Sequence, residues 1–485
     1  MNGTSPAAYD VVVLGAGPTG ENLADRTRAA GLTTVIVENE LLGGECSFWA
    51  CEPSKALLRP VLARADARRV PGLRRAVEGP LDVPAVFEHR DAMAAHWQDA
   101  DQEEWLDSVS VDLVRGHGRL NGPRQVVVDT PDGERVELTA RHAVGVCTGT
   151  VTAFPDLPEL AATRPWTNRQ ATAARHVPDR LAVVGGGVVA VEMATAFRAL
   201  GSRVTMLVRG GLLGRMEPFA GEMVTDALRE AGVDVRFGRS VAGVEREDGG
   251  EGHVRVTTDD GDTVVADEIL FATGRAPHTG DIGLETVGLT PGDWLPVDDS
   301  YRVPEITEGW LYAVGDVNHR ALMTHQGKYQ ARIAGAVIGA RAKGEPLDDG
   351  RWGRHAPTAD SAAVPQVVFT EPEVATVGPT AQEAERAGLK VDVVDYDIGK
   401  IAGAVQYAVG YRGRARVIVD SERQNVVGAT FVGPGVQELL YSATVAVTSE
   451  VPVDRLWHAV PAFPTISEVW LRILETYRDS DGSAA

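Results

Sequence analysis

Cysteine is scarce in this chain, with three residues in 485. Three thiols cannot build a disulfide-stapled scaffold or a four-cysteine zinc site. None lies beyond Cys147. Positive charge is short as well: 47 Lys and Arg stand against 68 Asp and Glu, a formal charge of −21 at pH 7. That balance argues against a nucleic-acid or anionic-membrane partner. No apolar run reaches the ~20 residues needed to span a bilayer. Met1 to Ala8 has neither the basic start nor the apolar stretch of a secretion signal. A cytoplasmic location is expected, where a cysteine pair is more often catalytic than structural. The hydrophobic share of 44% and charged share of 24% are ordinary for a globular protein. The length allows about three domains.

What is present concentrates in Gly43 to Lys55, GGECSFWACEPSK. Cys46 and Cys51 are five positions apart, a rise of about 7.5 Å in an unbroken α-helix. A disulfide needs Cα atoms roughly 4.4–6.8 Å apart, so bridging these residues requires a distorted turn. Pro53 suits the opening of a helix, and helix N-termini stabilise thiolates. Two unrelated buried cysteines would give the same spacing. The residues upstream separate the readings.

Tyr9 to Glu38 reads as an apolar strand, then Gly15, Gly17 and Gly20 in GxGxxG, a helix, and a second strand ending in the acid. The glycines permit a tight turn and close approach of a pyrophosphate to a helix N-terminus, and Glu38 is placed to bond a ribose hydroxyl. A dithiol directly behind a dinucleotide site points to electron transfer from a bound cofactor.

Together these stretches resemble the FAD-dependent pyridine nucleotide–disulfide oxidoreductases, the family of glutathione reductase, dihydrolipoyl dehydrogenase and mercuric reductase. The shared pattern is GG-x-C-x4-C-x-P-S-K. Ser47, Phe48 and Trp49 replace the family's small loop, and Glu52 is unusual. The resemblance implies that Cys46 is the interchange thiol meeting the substrate. It places Cys51 against the flavin and Lys55 near the reactive edge of the ring. The fold it implies is α/β, with two Rossmann-like dinucleotide-binding domains, for FAD and NAD(P), and a C-terminal α+β dimerisation domain. The expected boundaries are 1–155 and 281–355 for the two segments of the FAD domain, 156–280 for the NAD(P) domain and 356–485 for the interface domain.

The chain repeats its opening plan. RLAVVGGGVVAVEMATAFRALGSRVTMLVR carries Gly185, Gly187 and Ala190 as a second fingerprint. Each unit runs on through an Asp-Gly hairpin (Asp132-Gly133, then Asp260-Gly261) to a C/A-T-G strand containing Gly149 or Gly274. The resemblance adds Glu192 and Arg275 to the cofactor contacts. Counting from the first glycine, Val208 holds the place that Glu38 holds in the first unit, with Arg209 next and Arg215 shortly after. Without a carboxylate a 2′-phosphate is not repelled, and guanidinium groups can grip it. NADPH is therefore expected ahead of NADH. Further on, WLYAVGDVNHRALMTHQGKYQARIAG resembles the second FAD fingerprint, in which Asp316 bonds the ribityl chain and His325 lies near the flavin. His319 and His325 lack metal-ligand spacing, and no metal is expected. Cys147, in an apolar strand, reads as packing.

Residues 53–108 read as mainly helical, interrupted by Pro60, Pro71 and Pro80, and 341–362 reads as a linker. VPQVVFTEPEVATVGPT resembles the opening of the family's dimerisation domain, which implies a homodimer. The final RDSDGSAA is expected to fray. The pattern breaks near the C-terminus. Disulfide-reducing members carry HPTxxE, whose His shuttles protons to the interchange thiol while the Glu orients it. Here AFPTISE puts Phe463 in the His place and keeps Glu468. His458 is the nearest alternative base. The expected activity is an NAD(P)H oxidoreductase acting on a quinone or specialised small-molecule acceptor. The rivals are a disulfide reductase or dihydrolipoyl dehydrogenase with another base, and a non-catalytic flavin-binding protein. Lacking a C-terminal cysteine pair, efficient mercury reduction is not expected.

Overall fold

The computed structural model describes residues 7–247 and 252–480. The expectation of no secretion signal falls largely outside them. The described chain forms two compact units. The first comprises the chain up to Pro53, Asp91–Ala153 and Arg275–Ser361, and the second comprises Ser54–Arg90, Phe154–Gly274 and the residues from Ala362.

The first unit is built on a largely parallel sheet. Strand Ala7–Leu14 pairs in parallel with Thr34–Glu38 on one side and Arg135–Val146 on the other. Asp112–Arg115 extends the sheet beyond Thr34–Glu38, and Leu311–Ala313 joins Arg135–Val146 late in the sequence. Both faces of the central strand are covered, as parallel sheets require. Val11 and Val13 pack with Leu23, Ala24, Ala331 and Ala334, while Val12 and Leu14 pack with Val126 and Val128. That alternation follows the two-residue period of a strand. The Asp132-Gly133 turn joins antiparallel strands Gln125–Asp129 and Arg135–Val146, as expected.

In the second unit, Arg180–Val184 lies between Arg203–Val208 and Glu268–Phe271 in a four-stranded parallel sheet. A three-stranded antiparallel sheet, Val241–Arg246, Val254–Thr258 and Thr263–Ala266, carries the Asp260-Gly261 hairpin. The C-terminal part forms a five-stranded antiparallel sheet bearing helices Leu440–Thr448 and Val469–Ser480.

Two local expectations, for Pro60 and for the tail, differ from the structure, and one gains detail. Pro60 does not interrupt the helix, which runs unbroken over Cys51–Arg69. A proline removes one backbone donor and strains one turn, but flanking contacts can carry it; Leu57, Leu58 and Val61 beside it are buried. The stretch 341–362, read as a linker, contains the boundary between the two units at Ser361 and carries its own contacts. His355 is buried and its Nδ1 accepts the Asp348 N–H, while Asp360 accepts from the Tyr301 hydroxyl and the Gln326 amide. Helix Val469–Ser480 includes the first residues of the tail expected to fray, and the remainder lies outside the described residues.

Candidate active site

The two thiols flank the broken turn that their spacing demanded. Gly43, at φ +98°, caps the short helix Gly44–Trp49. Ala50 leaves helical geometry at φ −132°, ψ −97°, and a new helix starts at Cys51. Both sulfurs share one hydroxyl: Thr324 Oγ1 donates to Cys46 Sγ at 3.1 Å and lies 3.3 Å from Cys51 Sγ. The hydrogen bond with Cys51, then burial, pushes the Cys46 thiol well above the usual range, with Thr324 opposing. The two thiols are thus close enough to share a hydrogen bond. Cys147 is buried in the core behind Gly15, and burial alone pushes its thiol up.

The glycine turn beside the dithiol fits a dinucleotide. Gly20 allows the helix to approach the turn, since a Cβ there would sit 1.9 Å from Gly15 O. Gly15 has φ +94°. Gly17 caps helix Pro18–Ala29 and faces open space, the room a pyrophosphate needs at a helix N-terminus. Glu38 is buried at the end of its strand and accepts N–H bonds from Ala16, Asn39 and Glu40 at 2.7, 2.9 and 2.8 Å. Burial raises its pKa while those bonds lower it. Asp316 is reached through a chain of contacts. The Arg275 guanidinium pairs with Glu45 and donates to Thr150 Oγ1, which donates to Asp316 at 3.0 Å. Burial pushes the Asp316 carboxyl up, with Thr150 and Arg275 opposing. Gly149 turns at φ +69° next to Thr150. His325 is exposed in the first turn of helix Thr324–Lys343, whereas its neighbour Thr324 meets the sulfurs.

The second glycine unit has the same construction. A Cβ on Gly185 would lie 2.3 Å from Ala272 O, Gly187 caps helix Val188–Leu200 facing open space, and Ala190 is fully buried. Gly274 closes the following strand region at φ +142°. Val208 is buried at its strand end. Arg209 and Arg215 are exposed and make no side-chain hydrogen bond or ion pair among the described residues. Their guanidinium groups are open to an anion. Lys55, one turn into the helix that Cys51 begins, donates to Glu192 Oε2 at 2.8 Å. Glu192 Oε1 accepts the Phe369 N–H at 3.0 Å, and the Lys55 ammonium lies 5.0 Å from the Phe369 ring centre. A carboxylate with both oxygens engaged fixes the ammonium in place.

The model of pyridine nucleotide-disulphide oxidoreductases matches residues 9–332, and that of the same family's dimerisation domain matches 364–473. This chain belongs to the pyridine nucleotide-disulfide oxidoreductase family. Its relatives include a mercuric reductase of Acidithiobacillus ferrooxidans, 31% identical over 95% of this chain and 80% of the relative. A dihydrolipoyl dehydrogenase of Chlamydia muridarum is 29% identical over 96% of this chain and 95% of the relative. Among solved structures, the Cu(II) complex of the HOCl-induced flavoprotein disulfide reductase RclA from Escherichia coli superposes with a TM-score of 0.80. It is 22% identical and the match covers 97% of this chain and 99% of that one. LpdA from Mycobacterium tuberculosis gives a TM-score of 0.79 at 26% identity, covering 97% and 99%.

As a member of this FAD-dependent, NAD(P)H-using oxidoreductase family, the chain departs most clearly in its dimerisation domain. Phe463 is 74% exposed. Glu468 is buried, its Oε1 paired with Arg472 at 2.9 Å and its Oε2 without a hydrogen-bond partner among the described residues. His458 is exposed and its side chain makes no hydrogen bond or ion pair among the described residues, so no carboxylate orients it as a base. Tyr441, Val445, Val460 and Phe463 are exposed large apolar residues of this domain. The dimerisation domain supports a homodimer. Among the described residues no cluster could hold a metal ion, and no helix is long and apolar enough to cross a membrane.

Two features escaped sequence reasoning: the Thr324 hydroxyl shared by the sulfurs, and the Glu45–Arg275 pair beside them. A polar residue immediately before His325, and an acid in place of the variable residue before Cys46, were the available signals.

Proposed function

We propose that this oxidoreductase draws electrons from NADPH in preference to NADH and delivers them to a quinone or another specialised small acceptor, with Cys46 and Cys51 as its redox pair. The observation that carries the acceptor is Phe463. A phenyl ring moves no proton, and a positioned base contributes roughly 10²–10⁴ in rate. Reducing an ordinary disulfide needs a proton for each leaving thiolate, whereas a quinone can take its protons from water. When bound, FAD would supply hydride acceptance from the nicotinamide and electron transfer onward. Gly15, Gly17, Gly20, Glu38, Gly149, Asp316 and His325 are the residues proposed to hold it, with Lys55 and Glu192 fixing a positive charge near the ring. Gly185, Gly187, Ala190, Gly274 and Arg275 are proposed to shape the nicotinamide side. The intact dithiol with its shared Thr324 hydroxyl favours one rival, a disulfide reductase using another base.

An acceptor panel separates these readings. Anaerobic titration of the holoprotein with NADPH, followed by lipoamide, glutathione disulfide, quinones and oxygen, is expected to give its highest kcat/KM with a quinone. Disulfide turnover at least equal to quinone turnover would favour the rival. Absence of NADPH consumption with every acceptor would leave a flavin-binding protein without catalysis.

The nucleotide preference rests on Val208 and the open Arg209 and Arg215. Val208→Glu combined with Arg209→Gln places a carboxylate where a 2′-phosphate would lie and removes a guanidinium. The kcat/KM ratio of NADPH to NADH is expected to fall by at least tenfold, the size of one lost charge-assisted contact of about 1.5–3 kcal/mol. Equal kcat/KM for both nucleotides in the parent would end this reading.

A further inference from the structure

Ala95, His96 and Trp97 have successive φ angles of +45°, +51° and +56°. Left-handed backbone is unfavourable for any residue with a Cβ, and a run of three persists only where its surroundings hold it. Here the holding contacts are specific. The Trp97 N–H closes the turn on Ala94 O at 2.8 Å, and Ala94 is buried. Beyond the turn, the Asp99 carboxylate accepts the Leu42 N–H at 2.8 Å and the Arg115 guanidinium at 2.7 Å. The indole Nε1–H of Trp97 donates to the carbonyl of Phe48 at 3.1 Å.

Phe48 lies between the two thiols. Its ring is 1% exposed, which anchors the side chain, and its carbonyl belongs to the last turn of helix Gly44–Trp49. Helix carbonyls at a C-terminus run out of intrahelical donors, and the break at Ala50 creates such a terminus between Cys46 and Cys51. The strained turn thus supplies a donor from outside the loop to a carbonyl that the broken helix leaves short.

We infer that Trp97 is a positioning residue for the dithiol, its indole N–H tying the loop between Cys46 and Cys51 and keeping the two sulfurs within mutual reach. This rests on the reading that these cysteines form a redox disulfide. Forming that bridge removes two electrons and two protons from the thiols and joins the sulfurs; reduction reverses it. A loop already tied loses less freedom on closure, so the tie favours the oxidised form. Releasing it lowers the effective concentration of each thiol at the other.

The test equilibrates the holoprotein against mixtures of reduced and oxidised dithiothreitol, counts free thiols, and times alkylation of Cys46 by iodoacetamide. Trp97→Phe keeps a ring but removes the donor. Its dithiol–disulfide equilibrium constant is expected to move about tenfold towards the dithiol, a rise in potential of about 30 mV for a two-electron couple. Cys46 should alkylate faster. Trp97→His, which returns an N–H, should fall between that variant and the parent. His96→Gly relieves the left-handed strain without touching the bond and should raise Tm while keeping the parental constant. A parental constant and alkylation rate in both Trp97 variants would overturn the inference. So would a shift in His96→Gly as large as that in Trp97→Phe, because general rigidity of the turn would then be the cause. A parent that never converts its two thiols overturns the redox-pair reading itself, and is recognised before any variant is compared.

Discussion

Phe463→His is expected to raise lipoamide or glutathione disulfide turnover by about 10²-fold, with roughly 10⁴ as the ceiling for a well-placed base. The argument lies in what Glu468 retains. Its carboxylate is buried, Arg472 takes Oε1, and Oε2 has no partner among the described residues. A buried acceptor without a donor is costly, about 1–3 kcal/mol, so an imidazole N–H introduced five residues upstream is expected to turn towards Glu468 Oε2 and be oriented by it. Oriented in that way, the ring holds a proton for a leaving thiolate. Quinone turnover should change little, because its protons come from water. The assay compares kcat/KM for disulfides and quinones in parent and variant. A parent that already reduces disulfides at the rate of its histidine-bearing relatives would sink the idea. Loss of that activity in His458→Ala would name His458 as the base instead.

Serine at either cysteine is expected to abolish disulfide turnover to below roughly 10⁻³ of the parent, well within what loss of a nucleophile can cost. The two variants should differ in another property. With Cys46→Ser, the remaining Cys51 sulfur loses the thiol that shares its proton and keeps the Thr324 hydroxyl, 3.3 Å away. If Cys51 is the thiol against the flavin, its thiolate should give a long-wavelength absorption band in the oxidised holoprotein without reductant. Cys51→Ser should lack the band even after two-electron reduction. Quinone reduction is expected to survive in both. Identical spectra for the two variants would remove the distinction between the cysteines, and loss of quinone reduction in both would make the dithiol the exit for all electrons.

Local pattern made much of this molecule legible. Gly15 to Glu38 and Gly185 to Val208 announce their strand–turn–helix units because turn geometry, helix capping and strand burial are set by neighbours in sequence. The broken turn at Ala50 was foreseeable from the distance a disulfide requires. Long-range contacts were not. Thr324 reaches Cys46 across 278 positions, Arg275 reaches Glu45 across 230, and the Trp97 indole meets Phe48 across 49. No periodicity links such residues; only the closed sheet brings them together. Pro60 reads as a break for the opposite reason, since its local cost is real but the packing of Leu57, Leu58 and Val61 outweighs it.

The late arrival of strand Leu311–Ala313 has a consequence during synthesis. Its partner strand is complete by Val146, yet Leu311 pairs with Val144, about 167 residues upstream. At ribosomal rates of roughly 5–20 residues per second, the earlier strands wait about 8 to 33 s for their neighbour. Helix Thr324–Lys343, whose Ala331 and Ala334 pack with Leu23 and Ala24, comes later still. Nascent chains released before residue 343 would present a bare apolar face, a substrate for chaperones and proteases. If Asp316 and Gly15 both hold the flavin, as proposed, its uptake would begin only once about two-thirds of the chain has been translated.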